Sequence, residues 1–136
     1  MAVTPNNIIT PQAVKTANAV TTAAKTTYGD STNAVKIVTP GPNGAALYGL
    51  RAVPRATVTA TQLQLYRSPD NGTTMYLIGS ALMAAYTMAQ TTAAPATDFG
   101  YSETAPLRLG PTDTLWVGAG VALAGGISFD AQYEDL

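Results

Sequence analysis

The sequence predicts an all-β protein: an antiparallel β-sandwich of jelly-roll type, preceded by an extended N-terminal arm. Three observations carry this reading. Short runs rich in β-branched and aromatic residues recur along the chain, and such side chains suit the pleated, half-buried surface of a sheet. Clusters of Gly, Pro, Asn and Asp punctuate them, each offering the turn conformations that end a strand. Between Gln62 and Leu65 polar and apolar residues alternate strictly, the pattern of a strand with one face in a core. Many short strands of this kind belong to a sandwich, and a jelly roll uses about eight. The 136 residues suit one domain, which at that size buries roughly two thirds of the surface its unfolded chain exposes. The expected division is an arm over residues 1–12 and a single β-sandwich domain over 13–136.

The arm holds Pro5 and Pro11, which fix φ and disfavour helix on either side. Between them stand Ile8 and Ile9, two apolar side chains that need burial in their own sandwich or in a neighbouring subunit. Gln12 to Val20 alternates weakly, with Val14, Thr16, Asn18 and Val20 on one face. It reads as a strand, although its Ala content tolerates helix. Thr26 to Ser31 is loop chemistry, and Ala34 to Thr39 is a β-branched strand ended by Pro40-Gly41-Pro42-Asn43-Gly44. Ala45 to Val53 follows, with Leu47, Gly49, Arg51 and Val53 opposed to Ala46, Tyr48, Leu50 and Ala52. The run Thr57 to Tyr66 is the clearest strand pattern. Ser68-Pro69-Asp70-Asn71-Gly72 separates it from a second run, Thr74 to Ile78. Asn-Gly between two such runs signals a hairpin, because both residues tolerate positive φ.

Ser80 to Gln90 leaves two states open: its Ala, Leu and Met favour helix, while Tyr86 and Thr87 permit strand. Thr91 to Ala96 is a loop, Leu107 to Leu109 a short strand, Gly110 to Asp113 a turn and Thr114 to Val117 a strand. The closing strand, Ile127 to Tyr133, sets Ile127, Phe129, Ala131 and Tyr133 on one face.

Charge narrows the possible partners. Charged residues make up 11% of the chain, against about 25% in a typical soluble domain. Little charge means little repulsion between molecules, which fits a subunit that assembles; a plain Thr-rich β surface gives the same composition. The seven Lys and Arg are scattered and form no stripe able to neutralise a row of phosphates, so nucleic acid is not an expected partner. Asp130, Glu134 and Asp135 make a short acidic end, read as a solvated terminus. The longest apolar stretch, Trp116 to Ile127, is broken by Gly118, Gly120, Gly125 and Gly126 and is too short to cross a bilayer. Met1 to Asn6 lacks a basic segment followed by an apolar one, so no membrane or export step is expected and synthesis is placed in a host cytoplasm.

The residues for catalysis are missing. There is no His and no Cys, which removes the commonest general base, the commonest metal ligand and all thiol chemistry. No feature pairs a Ser with Lys15, Lys25 or Lys36. Asp98, Glu103 and Asp113, with the terminal acids, are the carboxylates a glycosidase pair would draw on, but they fall in predicted turns or the tail. Gly118-Ala119-Gly120 lacks the strand–loop–helix context of a phosphate loop and reads as bends or close backbone approach in a strand. Asp130, Glu134 and Asp135 offer oxygens to a Ca²⁺ without any EF-hand spacing. The expectation is therefore no enzyme, with no catalytic, cofactor-binding or metal-binding residues. Aromatics such as Tyr28, Tyr48, Tyr66, Tyr76 and Tyr133 suit either half-buried strand faces or a sugar-stacking platform, and Trp116, inside an apolar run, reads as core.

Two resemblances add to this. Ser68-Pro69-Asp70-Asn71-Gly72-Thr73-Thr74-Met75 resembles the Asp-box hairpin, Ser-x-Asp-x-Gly-x-Thr followed by an aromatic, with Met75 departing at the aromatic position. In sialidases and other β-proteins that motif braces a hairpin remote from the active site, so the resemblance implies turn geometry and not glycosidase activity. Asn6-Asn7-Ile8-Ile9-Thr10-Pro11-Gln12, the segment Ala105 to Val117 and the Gly-rich final strand resemble small virion proteins of tailed bacteriophages, prophages and gene-transfer-agent-like particles. That resemblance implies a sandwich or jelly-roll subunit, a homo-oligomer with a trimer favoured, located in the virion and bound to the major capsid protein or other virion proteins. It carries over no functional residue. The expected function is a capsid decoration or head-associated subunit acting through protein–protein contacts. The alternative is a receptor- or glycan-binding module of a phage fibre, spike or tail component.

Overall fold

The computed structural model describes residues 11–136, and among these the regular structure is entirely β. One antiparallel sheet joins β1 (Ala13–Thr21), β9 (Ile127–Asp135) and β3 (Ala45–Pro54) in that spatial order. The free edge of β3 then pairs with two short pieces, β6 (Thr97–Asp98) and β7 (Leu107–Leu109). The second antiparallel sheet has the order β2 (Val35–Val38), β8 (Thr114–Ala119), β4 (Thr61–Ser68) and β5 (Tyr76–Met83). The two sheets pack as a sandwich, as the punctuated β-runs predict. Of the expected arm, 1–12, all but Pro11 and Gln12 lie outside the described residues, and with them Ile8 and Ile9. The Gln12 amide donates to the Asp135 carbonyl at 2.7 Å, extending the β1–β9 ladder by one residue.

Alternation supplies the core. Leu63 and Leu65 of β4, with Leu115 and Val117 of β8, face Leu47 and Leu50 of β3 and Ile127 and Phe129 of β9, all buried. Fully burying each such side chain is worth roughly 1.5–3 kcal/mol. The predicted face of the closing strand is the buried one: Ile127, Phe129, Ala131 and Tyr133. In β3 the inward set changes phase, with Ala45 and Leu47 buried, then Leu50 and Ala52. The β3–β9 register slips between Leu47 and Gly49, and such a bulge moves every later side chain to the other face. The sequence pattern of Leu47, Gly49, Arg51 and Val53 on one side therefore does not hold. In β1, Val14 and Val20 share the outward face, and Ala19 and Thr21 are buried.

Other expectations shift. The Ser80–Gln90 segment is strand to Met83 and then irregular, held by a bridge between Val58 and Tyr86. Thr74 and Met75 belong to the turn, and β5 starts at Tyr76. The acidic end is not a solvated tail. Asp130, Glu134 and Asp135 are β9 residues paired on both sides, and Asp135 is buried, accepting the Gly41 amide at 3.1 Å and meeting Lys15 Nζ at 2.7 Å. The Asp135 carboxylate bonded to Lys15 pushes that ammonium's pKa up.

Trp116 is not core either. It alternates with Leu115 and Val117, so its indole lies half-buried on the outer face of β8. There it covers Gly72 of the β4–β5 turn, where a Cβ would come within 2.8 Å of its ring, and its Nε1 donates to Thr114 Oγ1 at 3.0 Å. The turn is the predicted brace. Asn71 and Gly72 have φ of 57° and 102°. Ser68 Oγ donates to Asp70 Oδ1 at 2.9 Å and accepts the Gly72 amide at 2.7 Å, and Asp70 Oδ1 also accepts the Thr74 amide at 2.7 Å. The aromatic that closes this motif comes from β8 and not from position 75.

Candidate functional site

Antiparallel pairing sorts the connections by end. Thr21 and Pro54 both pair with Ile127, and Thr61 pairs with Met83. The connections 22–34, 55–60, 84–96 and 120–126 therefore gather at one end. The turns 39–44, 69–75 and 110–113 lie at the other, so the two longest connections, 22–34 and 84–96, share the first end. A rigid sandwich carrying its long loops at one end is a common arrangement for a binding surface.

One of the two longest of these loops is 22–34. Ala24 forms a parallel bridge to Ala119, beyond the point where β2 pairs with β8, and the Lys25 amide donates to the Ala119 carbonyl at 2.8 Å. The segment then folds over the outer face of the β2-β8-β4-β5 sheet. The Lys25 stem runs over Gly118, where a Cβ would stand 2.9 Å from its Cδ. The close neighbours of this glycine are side chains, where the sequence predicts a bend or close backbone approach. Lys25 Nζ lies 5.0 Å from the Tyr66 ring centroid, with no exposed side-chain surface.

Its ammonium has three protons and three partners: the Asp30 carbonyl at 2.7 Å, Asp30 Oδ1 at 3.0 Å and the Thr32 carbonyl at 3.0 Å. Burial of a charge demands such pairing. Asp30 Oδ1 also accepts Thr27 Oγ1 at 2.8 Å, and the bonds from Thr27 and Lys25 hold this carboxyl below its ordinary range. Beneath the loop, Gln64 donates to the Lys25 carbonyl at 3.1 Å and accepts Tyr66 Oη at 2.6 Å. Burial pushes the Tyr66 phenol up to about 12, so it stays a neutral donor. Tyr28 Oη donates to Gln62 Oε1 at 2.8 Å. Chemically this cluster is closed. All three ammonium protons of Lys25 are committed within the loop, so its role here is to brace the loop.

The candidate carboxylates fall into two separate places, Glu103 with Glu134 and Asp98 with Asp130, and Asp113 joins neither. Asp98 accepts the Gly100 amide at 2.7 Å and Asp113 the Gly110 amide at 2.9 Å, each bracing its own turn. Glu103 lies beside a different groove, with Arg108 and Glu134. Arg51, Asp98 and Asp130 border a small groove on the outer face of β3 and β9, where Arg51 Nε lies 3.8 Å from Asp130. Among the described residues no three His, Cys, Asp or Glu side chains stand together as a metal site. Of the aromatics, Tyr66 and Phe129 are buried, exposed Tyr28 and Tyr76 lie by opposite ends of β4, next to Gln62 and Arg67, and Tyr48 and Tyr101 border the small groove on β3.

Lys25, Gln62 and Gln64 are the residues that sequence reasoning missed. The one available signal was the polar series Gln62, Gln64, Tyr66 on a single strand face, which does not disclose what covers it. No family model, curated protein or solved structure matches the chain.

Proposed function

We propose that the protein is a virion structural subunit, a capsid decoration or head-associated protein that works through protein–protein contacts on a jelly-roll frame. The supporting observation is the strand order. Because β6 and β7 lie along one edge of β3, they act as a single interrupted strand, and each sheet then has the equivalent of four. The orders β1-β9-β3-β6/β7 and β2-β8-β4-β5, with every connection except the β4–β5 hairpin and the β6–β7 step crossing between sheets, follow the winding of an eight-stranded jelly roll. Viral capsid proteins use this architecture, and so do lectins.

The surface supports the same reading. β1 and β5 end their sheets and carry exposed apolar side chains, Val14 at 72%, Leu82 at 73% and Tyr76 at 54%. Terminal strands of that kind invite pairing with another chain. The proposed partners are further copies of this chain, in a trimer, and the major capsid protein or another virion protein. Mass spectrometry of particles purified from a lysate of the encoding cells tests this. Many copies per particle is the expected result, and absence from the particles overturns it.

A further inference from the structure

We propose that the groove between the 22–34 segment and the start of β4 binds a neutral saccharide, one sugar ring stacking on Tyr28. The groove, about 410 Å³, is bordered by Thr26, Tyr28, Thr59, Thr61, Gln62 and Gly120. That size falls within the roughly 300–1,000 Å³ of small-ligand sites.

Three features set the ligand class. The first is a fixed aromatic face. Tyr28 is 49% exposed, yet its hydroxyl is tied to Gln62 Oε1 at 2.8 Å, and the backbone that follows it is pinned by the bonds of Lys25 to the Asp30 and Thr32 carbonyls. A ring held before binding loses little entropy when a pyranose C–H face settles on it. The second is unspent neutral hydrogen-bonding capacity. Gln62 Oε1 already accepts from Tyr28 and, at 3.4 Å, from Gln64. That leaves Gln62 Nε2, with the hydroxyls of exposed Thr26 and Thr59, without protein partners among the described residues. Amide and hydroxyl groups together match the paired donors and acceptors of sugar hydroxyls. The third is the absence of usable charge. Among the described residues Lys25 is the one charged residue bordering the groove, and its ammonium is buried and fully satisfied. Neither an anion nor a cation gains a partner here, and a neutral polyol does.

The inference stands apart from the assembly reading, since particle incorporation and sugar binding are measured separately. The test is titration of the full chain with the methyl glycosides of glucose, galactose, mannose and N-acetylglucosamine, and with N-acetylneuraminic acid as the charged comparison, followed by amide NMR. At least one should give saturable shifts at residues 26–28, 59–62 and 120 with a Kd on the order of 1 mM. Tyr28→Ala should weaken it about 10-fold, the loss expected of one aromatic contact. Tyr28→Phe, which keeps the ring, should weaken it only about 3-fold. Tyr76→Ala, by the far end of β4, should bind as the unmodified chain does. The proposal is overturned if no glycoside gives saturable shifts, if only N-acetylneuraminic acid does, or if Tyr28→Ala with an otherwise native spectrum binds unchanged.

Discussion

Lys25 shows how one residue fixes a loop. Its ammonium sits over Tyr66 and closes three hydrogen bonds within 25–32, while its carbonyl takes Gln64 from the sheet below. The ion pair with Asp30 by itself contributes little, because that carboxylate is half in water. The two backbone carbonyls matter more, since methionine of similar volume would leave them without their donor. Lys25→Met should lower unfolding free energy by about 2 kcal/mol, the net of lost charge-assisted bonds against regained hydration. Urea denaturation reads this directly, and a change within about 0.5 kcal/mol, the range of an ordinary surface substitution, would show that the network does not hold the loop. Nothing in the sequence around Lys25, an isolated cation in a Thr/Ala run, announces this role, because burial of its stem depends on Gly118, ninety-three positions later.

At the scale of elements, the β4–β5 hairpin was legible in its turn and not in its closure. Positive φ at Asn71 and Gly72 follows from the chemistry of those two residues. The Trp116 lid over Gly72 follows from β8 pairing with β4, with Tyr66 opposite Trp116, which no local reading supplies. Asp70 gives the turn a pH dependence. Bonds from Thr74 and Ser68 favour its charged form and hold its pKa below the ordinary 3.8. A depressed folded pKa means the stabilisation is complete above that ordinary value and is lost as pH falls through the folded one. The difference in melting temperature between the protein and Asp70→Asn should therefore be widest at neutral pH and shrink below about pH 4. A difference constant from pH 7 to pH 2 would contradict this assignment.

For the molecule as a whole, the two ends differ. The chain enters β1 beside the exit of β9, where Gln12 meets Asp135, at the end opposite the 22–34 loop. Pro11 and Gln12 therefore lie at the end away from the proposed sugar groove. Every described strand begins after Pro11, so a chain lacking residues 1–11 keeps all its ladders. Light scattering across a concentration series should give a trimer for the full chain and a lower mass for the truncation, with unchanged circular dichroism. A full chain that stays monomeric throughout would remove the self-assembling subunit from the proposal.

Local chemistry was enough to make the chain all-β, to place most strands within a few residues and to site the Asn71-Gly72 turn, because turn preference and side-chain alternation act over a few positions. The absence of His and Cys was likewise legible at once. What only the tertiary structure decided is which face each strand buries after the bulge in β3, why the acidic end is held in a strand, and how Lys25, Gln62 and Tyr28 meet. Those features depend on register between strands distant in sequence. A one-residue slip exchanges inside for outside, and that register is set by the whole core at once.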